Sequence, residues 1–419
     1  MFQEDDDWKK IIDRNGDFIT PFCESVDTPD DITLDSCSHE GATASLTDTS
    51  HVEEEPYLRT TSTATRFTHP STLLAEGNIQ DTCIVAFDAE EAKNMTADDL
   101  AVSMEQALLL GSQTDSQSPE EATHHVSDVS WFRRLQFGKM VGCGSHGQVY
   151  VVNLNGQTFA AKILRACTRQ EATQLSSEAK LNLQFSHDNI VTTHKCVAIS
   201  HQRPSLSGKL SIDDVSCEMW ILQELCEAGS LHAVLEDRVF EVGSVEEKEK
   251  IVCSVALDIA RGLEYLHSQD IIHGDLSSNN VLLQKRNDDT ESDNTWNLTA
   301  KVNDFGRAKY RQGLKSMKTN TLGTVTYMPP EMLMDGSLKP SLDIYSLGIL
   351  LVEMWSGQNP WGTANFAQII FAVSQGKIPC VPDNVPHFLR EIIHKCLSGV
   401  AAERPTASDV VRYFESRED

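Results

Sequence analysis

Two short strings in the second half of the chain hold residues whose types and spacing suit phosphoryl transfer. The first is His273-Gly274-Asp275-Leu276-Ser277-Ser278-Asn279-Asn280, and the second is Asn303-Asp304-Phe305-Gly306. An acid that orients a hydroxyl, together with an amide and a second acid that hold Mg²⁺, is typical of a site that uses ATP. We therefore predict that Asp275 holds the attacking hydroxyl, and that Asn280 and Asp304 are magnesium ligands.

A glycine-rich segment upstream predicts the element that covers the phosphates. It reads Gly142-Cys143-Gly144-Ser145-His146-Gly147, a spacing that also occurs in dinucleotide-binding folds when a helix follows it. Here the β-rich run Val149-Tyr150-Val151-Val152 follows, and Asn155-Gly156 predicts a hairpin turn. Strand, glycines and strand together favour a flap over phosphates, because the missing side chains let backbone N–H groups approach an anion.

One lysine stands inside the next apolar run, which extends from Thr158 to Leu164. An ammonium group buried there without a partner would be costly, so Lys162 needs an acid beside it. The helix predicted from roughly Gln170 to Phe185 offers Glu171 and Glu178. An acid at the position of Glu171 is also explained by the helix dipole, because it lies at the start of the helix.

Taken in order, these motifs resemble a eukaryotic protein kinase. The His-Gly-Asp string is similar also to aminoglycoside and choline kinases, but small-molecule kinases of that kind lack an activation segment that closes on a Pro-Glu anchor. Here Gly323-Thr324-Val325-Thr326-Tyr327-Met328-Pro329-Pro330-Glu331 has that form, and Asp343-Ile344-Tyr345-Ser346-Leu347-Gly348 follows. Arg404, followed by Pro405, is then expected to pair with Glu331.

The resemblance implies an α+β fold with two lobes over residues 135–417. The first lobe would hold a five-stranded sheet and the C-helix, and the second would be mainly helical. Glu178 lies nine residues before His187, which matches the C-helix register of the family. The resemblance thus implies that Glu178 pairs with Lys162 and places the lysine on the phosphates of ATP.

The family likeness also implies which residues bind the nucleotide. The strand Glu218–Cys226 would be the hinge, with Gln223 as gatekeeper, and Val149 would lie over the adenine ring. ATP and Mg²⁺ are the implied cofactors, a protein is the implied substrate, and Lys162, Asp275, Asn280 and Asp304 are the implied catalytic residues. Nucleotide contacts are expected from Val141, Gly142, Gly144, Gly147, Val149, Ala160, Lys162, Glu178, Glu224 and Cys226.

The chain departs from the family pattern in its catalytic loop. Gly274 stands in place of the usual Arg, which in the family contacts a phosphate on the activation loop. Activity is therefore not expected to depend strictly on phosphorylation of the candidate sites Ser316, Thr319 and Thr321. Ser277 stands where Ser/Thr kinases usually have Lys, and the tyrosine-kinase Arg is absent too. The Gly-Thr pair before Tyr327 and the Pro-Pro-Glu anchor suggest a Ser/Thr kinase of the tyrosine-kinase-like group.

The charge of the chain is concentrated in its N-terminal third. Residues 1–130 hold 28 Asp/Glu and 6 Lys/Arg, a net charge of −22, whereas residues 131–419 hold 34 and 29, a net of −5. Sparse apolar residues predict that 1–130 is mostly disordered, and its charge argues against binding nucleic acid. One helix, 97–110, is predicted there, either as a transient element or as a helix that docks on a partner or on the kinase domain itself. A further hypothesis is that the acidic region restrains the basic activation loop.

The remaining composition favours an intracellular protein. Eleven cysteines without framework spacing predict free thiols in a reducing compartment. No apolar run is long enough to span a membrane, and the first residues lack the order of a secretory signal. We expect a cytoplasmic location, with entry to the nucleus left open.

Three functions compete at this point. An active protein Ser/Thr kinase in intracellular signalling is favoured, because each part of the chemistry has a residue. A pseudokinase or scaffold that binds ATP weakly is the second reading, since intact motifs are compatible with a collapsed pocket. A small-molecule kinase is the third, and the activation segment argues against it.

Overall fold

The computed structural model of the chain describes residues 82–88, 130–144, 147–166, 168–202, 215–241, 243–286, 298–310, 317–318 and 324–417. The predicted helix 97–110, the flap residues Ser145 and His146, and the candidate phosphosites lie outside these residues. Most of the kinase domain predicted at 135–417 falls within them.

The small lobe is built on one antiparallel sheet. Its strand order is β1-β5-β6-β4-β3-β2, so the five strands expected from the sequence are joined by a sixth. A short helix, α1 (Ser130–Arg133), precedes β2. The strands are β1 (Thr82–Asp88), β2 (Gln136–Gly144), β3 (Gly147–Leu154), β4 (Gln157–Ala166), β5 (Thr193–Gln202) and β6 (Val215–Glu224).

The local signals for this sheet are confirmed. Asn155 and Gly156 connect β3 to β4 and have φ angles of 54° and 88°, as a tight hairpin requires. The predicted helix is α2 (Arg169–Gln184), and the side chain of Thr168 caps its first turn. Because α2 packs on one face of the sheet while Trp131 and Phe132 lie against the other, both faces are covered.

The sixth strand comes from the acidic N-terminal region and was not predicted. Strand β1 pairs antiparallel with β5 along its full length, from Thr82 opposite His201 to Asp88 opposite Lys195. Its sequence, Thr-Cys-Ile-Val-Ala-Phe-Asp, is rich in residues that favour strands. A segment of the N-terminal region therefore belongs to the small-lobe sheet.

The large lobe is helical and surrounds two long helices. Apolar residues at helical spacing in the sequence, Ile251, Val255, Ile259, Leu263 and Leu266, predict a helix from Val245 to Ser268. The first long helix, α4 (Val245–Ser268), has these bounds, and the five residues are buried. It begins at a reciprocal capping box between Ser244 and Glu247. The other helices are α3 (Leu231–Glu236), α5 (Pro330–Asp335), α6 (Pro340–Ser356), α7 (Phe366–Ser374), α8 (His387–Cys396) and α9 (Ala407–Glu415).

Short strands between the lobes position the catalytic segments. One three-stranded sheet has the order β10-β9-β7. The pair β8–β11 joins a segment before Asp275 to a segment after Asp304, and the pair β12–β13 joins two segments that both follow Asp304. Their bounds are β7 (Gly229–Ser230), β8 (Ile271–Ile272), β9 (Val281–Lys285), β10 (Leu298–Val302), β11 (Lys309–Tyr310), β12 (Met317–Lys318) and β13 (Ser337–Leu338).

Candidate active site

Lys162 lies at the junction of three elements. It projects from β4, and its Nζ is 3.0 Å from Oε1 of Glu178 on α2 and 3.0 Å from Oδ1 of Asp304. The side chains of Lys162, Glu178 and Asp304 are only 10%, 8% and 14% exposed, so all three are largely buried. The structure therefore supplies the partner that a buried ammonium needs, and it supplies two.

Electrostatics keep this lysine charged. Burial lowers the pKa of Lys162, but the carboxylates of Glu178 and Asp304 more than offset it, so the pKa lies above its ordinary value. Glu171, the alternative acid, is exposed at the start of α2, where its backbone N–H donates to the Thr168 hydroxyl. The structure thus selects Glu178 as the acid that pairs with Lys162.

The glycine flap is formed by β2 and β3, and β3 pairs with β4, the strand that carries Lys162. In the β3–β4 register Val149 is opposite Lys162 and Val151 is opposite Ala160, so these side chains share one face of the sheet. Gly142 and Gly144 on β2 are opposite Val149 and Gly147. Val141 lies at an irregularity of the β2–β3 pairing and is half-exposed.

The end of β6 connects the sheet to the large lobe. The buried amide of Gln223 donates from Nε2 to Oγ1 of Thr193, 3.1 Å away. The carboxylate of Glu224 accepts from the Thr192 N–H at 2.6 Å and pairs with Lys301 at 3.0 Å. Cys226 follows as a buried thiol whose pKa burial raises to about 12. The nucleotide contacts expected of Glu224 and Cys226 remain predictions.

The catalytic loop is anchored by one buried carboxylate on α6. Asp343 is fully buried and accepts from the backbone N–H of His273 at 3.0 Å and of Gly274 at 2.9 Å. It also contacts Nε2 of His267 at 2.8 Å. A carboxylate held by several donors fixes the backbone just before Asp275. The sequence indicated Asp343 only as part of a motif and gave no sign of this role.

His273 links the two strings that carry the chemistry. Its Nδ1 accepts from the Asp275 N–H at 3.2 Å, so its Nε2 is assigned as the donor to the carbonyl of Asn303, 3.0 Å away. The backbone adds a second link, because the Asn303 N–H donates to the carbonyl of Asn280 at 2.8 Å. Asp275 and Asp304 are thereby held in one fixed arrangement.

The carboxylate of Asp275 has a partner on each oxygen. Oδ1 accepts from the Thr324 N–H at 2.8 Å, and Oδ2 is 3.3 Å from Nε of Arg307. Asn280 reaches back to the same residue, donating from Nδ2 to the Asp275 carbonyl at 2.7 Å. The activation segment and both catalytic strings therefore meet at Asp275.

The two predicted magnesium ligands fit the ion chemically. The side-chain nitrogen of Asn280 is hydrogen-bonded to the backbone carbonyl of Asp275. The side-chain oxygen of Asn280 is therefore the atom that can bind a metal. Asp304 offers carboxylate oxygens, and hard oxygen donors are what Mg²⁺ prefers, with phosphates and water completing its shell. In the described residues no group of three or more His, Cys, Asp or Glu is arranged to hold a metal by itself.

Phe305 fixes the backbone that presents Asp304. It is 1% exposed and packs edge-on against Phe185 and His273, with ring centroids 4.6 Å and 5.4 Å away. Asp304 itself has a φ of 65°, a conformation that is uncommon for a residue with a side chain. The packing of Phe305 thus holds a strained backbone in place.

Two buried ion or hydrogen-bond pairs support the activation segment. Arg404 contacts both carboxylate oxygens of Glu331, at 2.6 Å and 2.9 Å, which confirms the predicted pair. Glu353 accepts from the hydroxyls of Ser278 and Tyr327 at 2.9 Å and 2.7 Å. Burial raises the pKa of Glu353 above its ordinary value, as expected for a carboxyl group removed from water.

The other predictions from composition can be compared with the described residues. Four of the cysteines, Cys196, Cys217, Cys226 and Cys396, are buried free thiols. No helix among these residues has the length and apolar character needed to cross a bilayer. Sequence reasoning missed two features of the site, the contact of Arg307 with Asp275 and the anchoring role of Asp343, since each depends on how distant backbone segments pack.

Known proteins share this domain. The family described as "Protein kinase domain" matches residues 135–414. The serine/threonine/tyrosine-protein kinase HT1 of Arabidopsis thaliana is 30% identical over 314 residues, which cover 73% of this chain and 72% of HT1. The probable serine/threonine-protein kinase SIS8 of the same plant is 28% identical over 303 residues, 71% of this chain and 26% of SIS8.

A human relative shows a similar degree of likeness. Mitogen-activated protein kinase kinase kinase 11 of Homo sapiens is 26% identical over 299 residues, 70% of this chain and 32% of that protein. The chain therefore spans about a quarter to a third of the length of SIS8 and of the human kinase, and nearly three quarters of HT1.

Proposed function

This chain belongs to the protein kinase family, and on that premise we propose that it transfers the γ-phosphate of ATP to serine and threonine hydroxyls of protein substrates. Two of the relatives reported above, SIS8 and HT1, are named as serine/threonine kinases, and HT1 is also named as a tyrosine kinase. We assign the chain to the tyrosine-kinase-like group and to intracellular signalling. We infer a cytoplasmic location, with access to the nucleus left open.

The observation that carries this proposal is the double pairing of Lys162. Its ammonium touches Glu178 of α2 and Asp304 of the second string, both at 3.0 Å. The helix, the sheet and the second string therefore meet at Lys162, as is expected of a site that holds the phosphates of ATP. This arrangement favours an active kinase over the pseudokinase reading, in which a collapsed pocket would separate these groups.

The residues of the site then have separate roles. Lys162 neutralises the phosphates and positions them beneath the flap formed by β2 and β3. Asp275 orients the substrate hydroxyl and receives its proton while the oxygen bonds to the γ-phosphorus and the bond to the bridging oxygen of ADP breaks. Catalysis in such a site depends on positioning and on charge stabilisation rather than on a covalent intermediate.

Asn280 and Asp304 are the residues that we propose to hold Mg²⁺. When bound, the ion neutralises charge on the phosphate oxygens. The link between Asn280 and the Asp275 carbonyl keeps the amide oriented for that task. Nucleotide contacts are proposed for the ten flap, strand and hinge residues that the family resemblance indicates.

A phosphotransfer assay with the full chain tests the proposal. We expect the purified protein, with Mg²⁺, labelled ATP and a general protein substrate, to form phosphoserine or phosphothreonine. Asp304→Asn should abolish this signal, because it weakens the metal site and the pairing with Lys162 together. Loss of a metal-ligand carboxylate from such a site is expected to cost at least about 100-fold in kcat.

Two glutamates on the same helix supply a matched control. Glu178→Gln should lower activity strongly, because it removes the charge that faces Lys162, whereas Glu171→Gln changes an exposed side chain and should leave activity near that of the wild type. Equal labelling by wild type and Asp304→Asn would exclude catalysis by this site. Labelling confined to tyrosine would correct the substrate class.

A further inference from the structure

Arg307 contacts the residue predicted to orient the substrate hydroxyl. Its Nε lies 3.3 Å from Oδ2 of Asp275, whose side chain is only 8% exposed. A carboxylate that is so far removed from water needs a charged or hydrogen-bonding partner. The other oxygen, Oδ1, already accepts from the Thr324 N–H. Among the residues that the structure describes, Arg307 is the cationic side chain that forms an ion pair with Asp275.

The catalytic loop supplies no cation of its own. Residues 273–280 read His-Gly-Asp-Leu-Ser-Ser-Asn-Asn, without Lys or Arg. Lys162, the other cation of the site, contacts Glu178 and Asp304. The positive charge next to Asp275 therefore comes from outside the loop, from the residue that directly follows Gly306.

The backbone of Gly274 allows this approach. Its φ is +78°, and a Cβ built there would be 3.3 Å from the carbonyl oxygen of Arg307. Such a contact is tighter than ordinary packing, so a side chain at 274 would press against the segment that carries Arg307. The absence of a side chain at 274 thus leaves room for the segment that brings Arg307 to Asp275.

A turn and a strand pair fix the position of Arg307. The Ala308 N–H donates to the Phe305 carbonyl at 3.0 Å, which closes a turn around Gly306 and Arg307. Directly afterwards β11 pairs with β8, which places Lys309 opposite Ile272 at the start of the catalytic loop. Arg307 is therefore held between two points that are themselves tied to the loop.

We propose that Arg307 is a positioning residue for catalysis, supplying from the activation segment the positive charge that the catalytic loop lacks at Gly274 and Ser277. The guanidinium orients the Asp275 carboxylate through Oδ2 and takes no part in the proton transfer itself. Asp275 then receives the proton of the hydroxyl as described above. This inference rests on the proposed function.

Steady-state kinetics of full-length variants test it. Arg307→Gln should lower kcat by about 10- to 100-fold, the scale expected when a catalytic group loses its alignment. The KM for ATP should stay within about threefold, because Lys162 and the flap are untouched. Arg307→Lys keeps the charge but loses the planar donor geometry, so its kcat should lie between the two.

Controls distinguish positioning from a role in folding. Lys309→Gln removes the same charge from an exposed side chain two residues away and should leave kcat unchanged. Methylguanidinium in solution should partly and saturably restore the kcat of Arg307→Ala, a recovery that would not occur if the substitution had only weakened the fold. Thermal unfolding of each variant identifies any that is not folded at the assay temperature. If Arg307→Gln or Arg307→Ala is such a variant, the kcat of Arg307→Lys decides the question.

The outcomes separate this inference from the proposed function. If Asp304→Asn abolishes activity while Arg307→Gln keeps the wild-type kcat, the protein is a kinase and Arg307 does not position Asp275. A rise in kcat for Arg307→Gln would likewise overturn the inference, because the arginine would then obstruct Asp275. If wild type and Asp304→Asn are equally inactive, the proposed function fails and the inference fails with it.

Discussion

Gly147 occupies a position that other residues fit only with rearrangement. Its φ is +102°, and a Cβ there would lie 2.3 Å from the carbonyl oxygen of Ile163 and 2.9 Å from a methyl carbon of Leu164. Ile163 directly follows Lys162 on β4, so this glycine rests on the strand that carries the lysine. Gly142 differs, because a Cβ there would meet only Val149, at an ordinary 3.6 Å.

Gly147→Ala should therefore weaken ATP binding more than Gly142→Ala. A residue with a side chain at positive φ costs about 1–2 kcal/mol, and contact with the Ile163 carbonyl would push the flap away from β4. We expect the KM for ATP to rise at least about tenfold, which corresponds to about 1.4 kcal/mol. Calorimetric titration of each variant with a non-hydrolysable ATP analogue gives the same comparison without turnover. Equal effects of the two substitutions would contradict this account of the flap.

At the scale of single residues, the sequence predicted contacts that follow from the chemistry of a residue or from its place in a motif. The sequence predicted that Lys162 pairs with an acid, and in the structure Glu178 is one of its two acidic partners. The pair of Arg404 with Glu331 was predicted over a longer distance, from the family resemblance. Arg307 could not be predicted to contact Asp275, since that contact depends on the turn around Gly306 and on the positive φ of Gly274.

Among the elements, β1 is the one that changes how the small lobe is understood. It pairs with β5 over all seven of its residues, and without it β5 would be the edge of the sheet. That edge strand contains Cys196, Val197, Ala198 and Ile199, which are buried. An exposed, apolar edge strand presents unpaired backbone groups to other chains.

Truncation on either side of β1 should have opposite outcomes. A protein lacking residues 1–81 keeps β1 and should unfold at the temperature of the full chain. A protein lacking residues 1–90 loses β1, so it should unfold at a lower temperature and self-associate through the exposed edge of β5. Differential scanning fluorimetry and light scattering of the two proteins measure this. Identical unfolding and a monomeric state for both would show that β1 contributes nothing to the lobe.

Elements were predictable where their signals are local. Helix α4 has a capping box at its start and an apolar stripe along its length, and it was predicted with its observed bounds. The hairpin between β3 and β4 followed from Asn155-Gly156. Strand β1 was missed because its partner lies more than a hundred residues away along the chain, and because the acidic composition around it is typical of disorder.

At the scale of the whole molecule, charge is divided unevenly between the N-terminal region and the domain. The net charge of −22 on residues 1–130 contrasts with −5 on the remainder. The activation segment carries Arg307, Lys309, Arg311, Lys315 and Lys318. Since β1 fastens the N-terminal region to the small lobe, the acidic residues before it are tethered to the same molecule as this basic segment. Tethering raises the effective concentration of the two charged segments for each other.

The hypothesis that the acidic region restrains the activation loop can therefore be tested without disturbing the sheet. A deletion of residues 1–125 would also remove β1, so the deletion should end at residue 81. If the acidic residues restrain the loop, the truncated protein should have a higher kcat/KM than the full chain in low salt. The difference should shrink towards 0.5–1 M salt, where the screening length falls to only a few ångströms (about 3 Å at 1 M).

A variant of the full chain with fewer acidic charges separates an electrostatic effect from a steric one. Replacing Glu53, Glu54 and Glu55 by Gln keeps the length of the region and removes three of its charges. Its kcat/KM in low salt should lie between those of the full and truncated proteins, because the attraction scales with the charge that remains. If the truncated protein is as active as the full chain at every salt concentration, residues 1–81 do not act on the loop. A gain that persists in high salt would instead indicate steric obstruction.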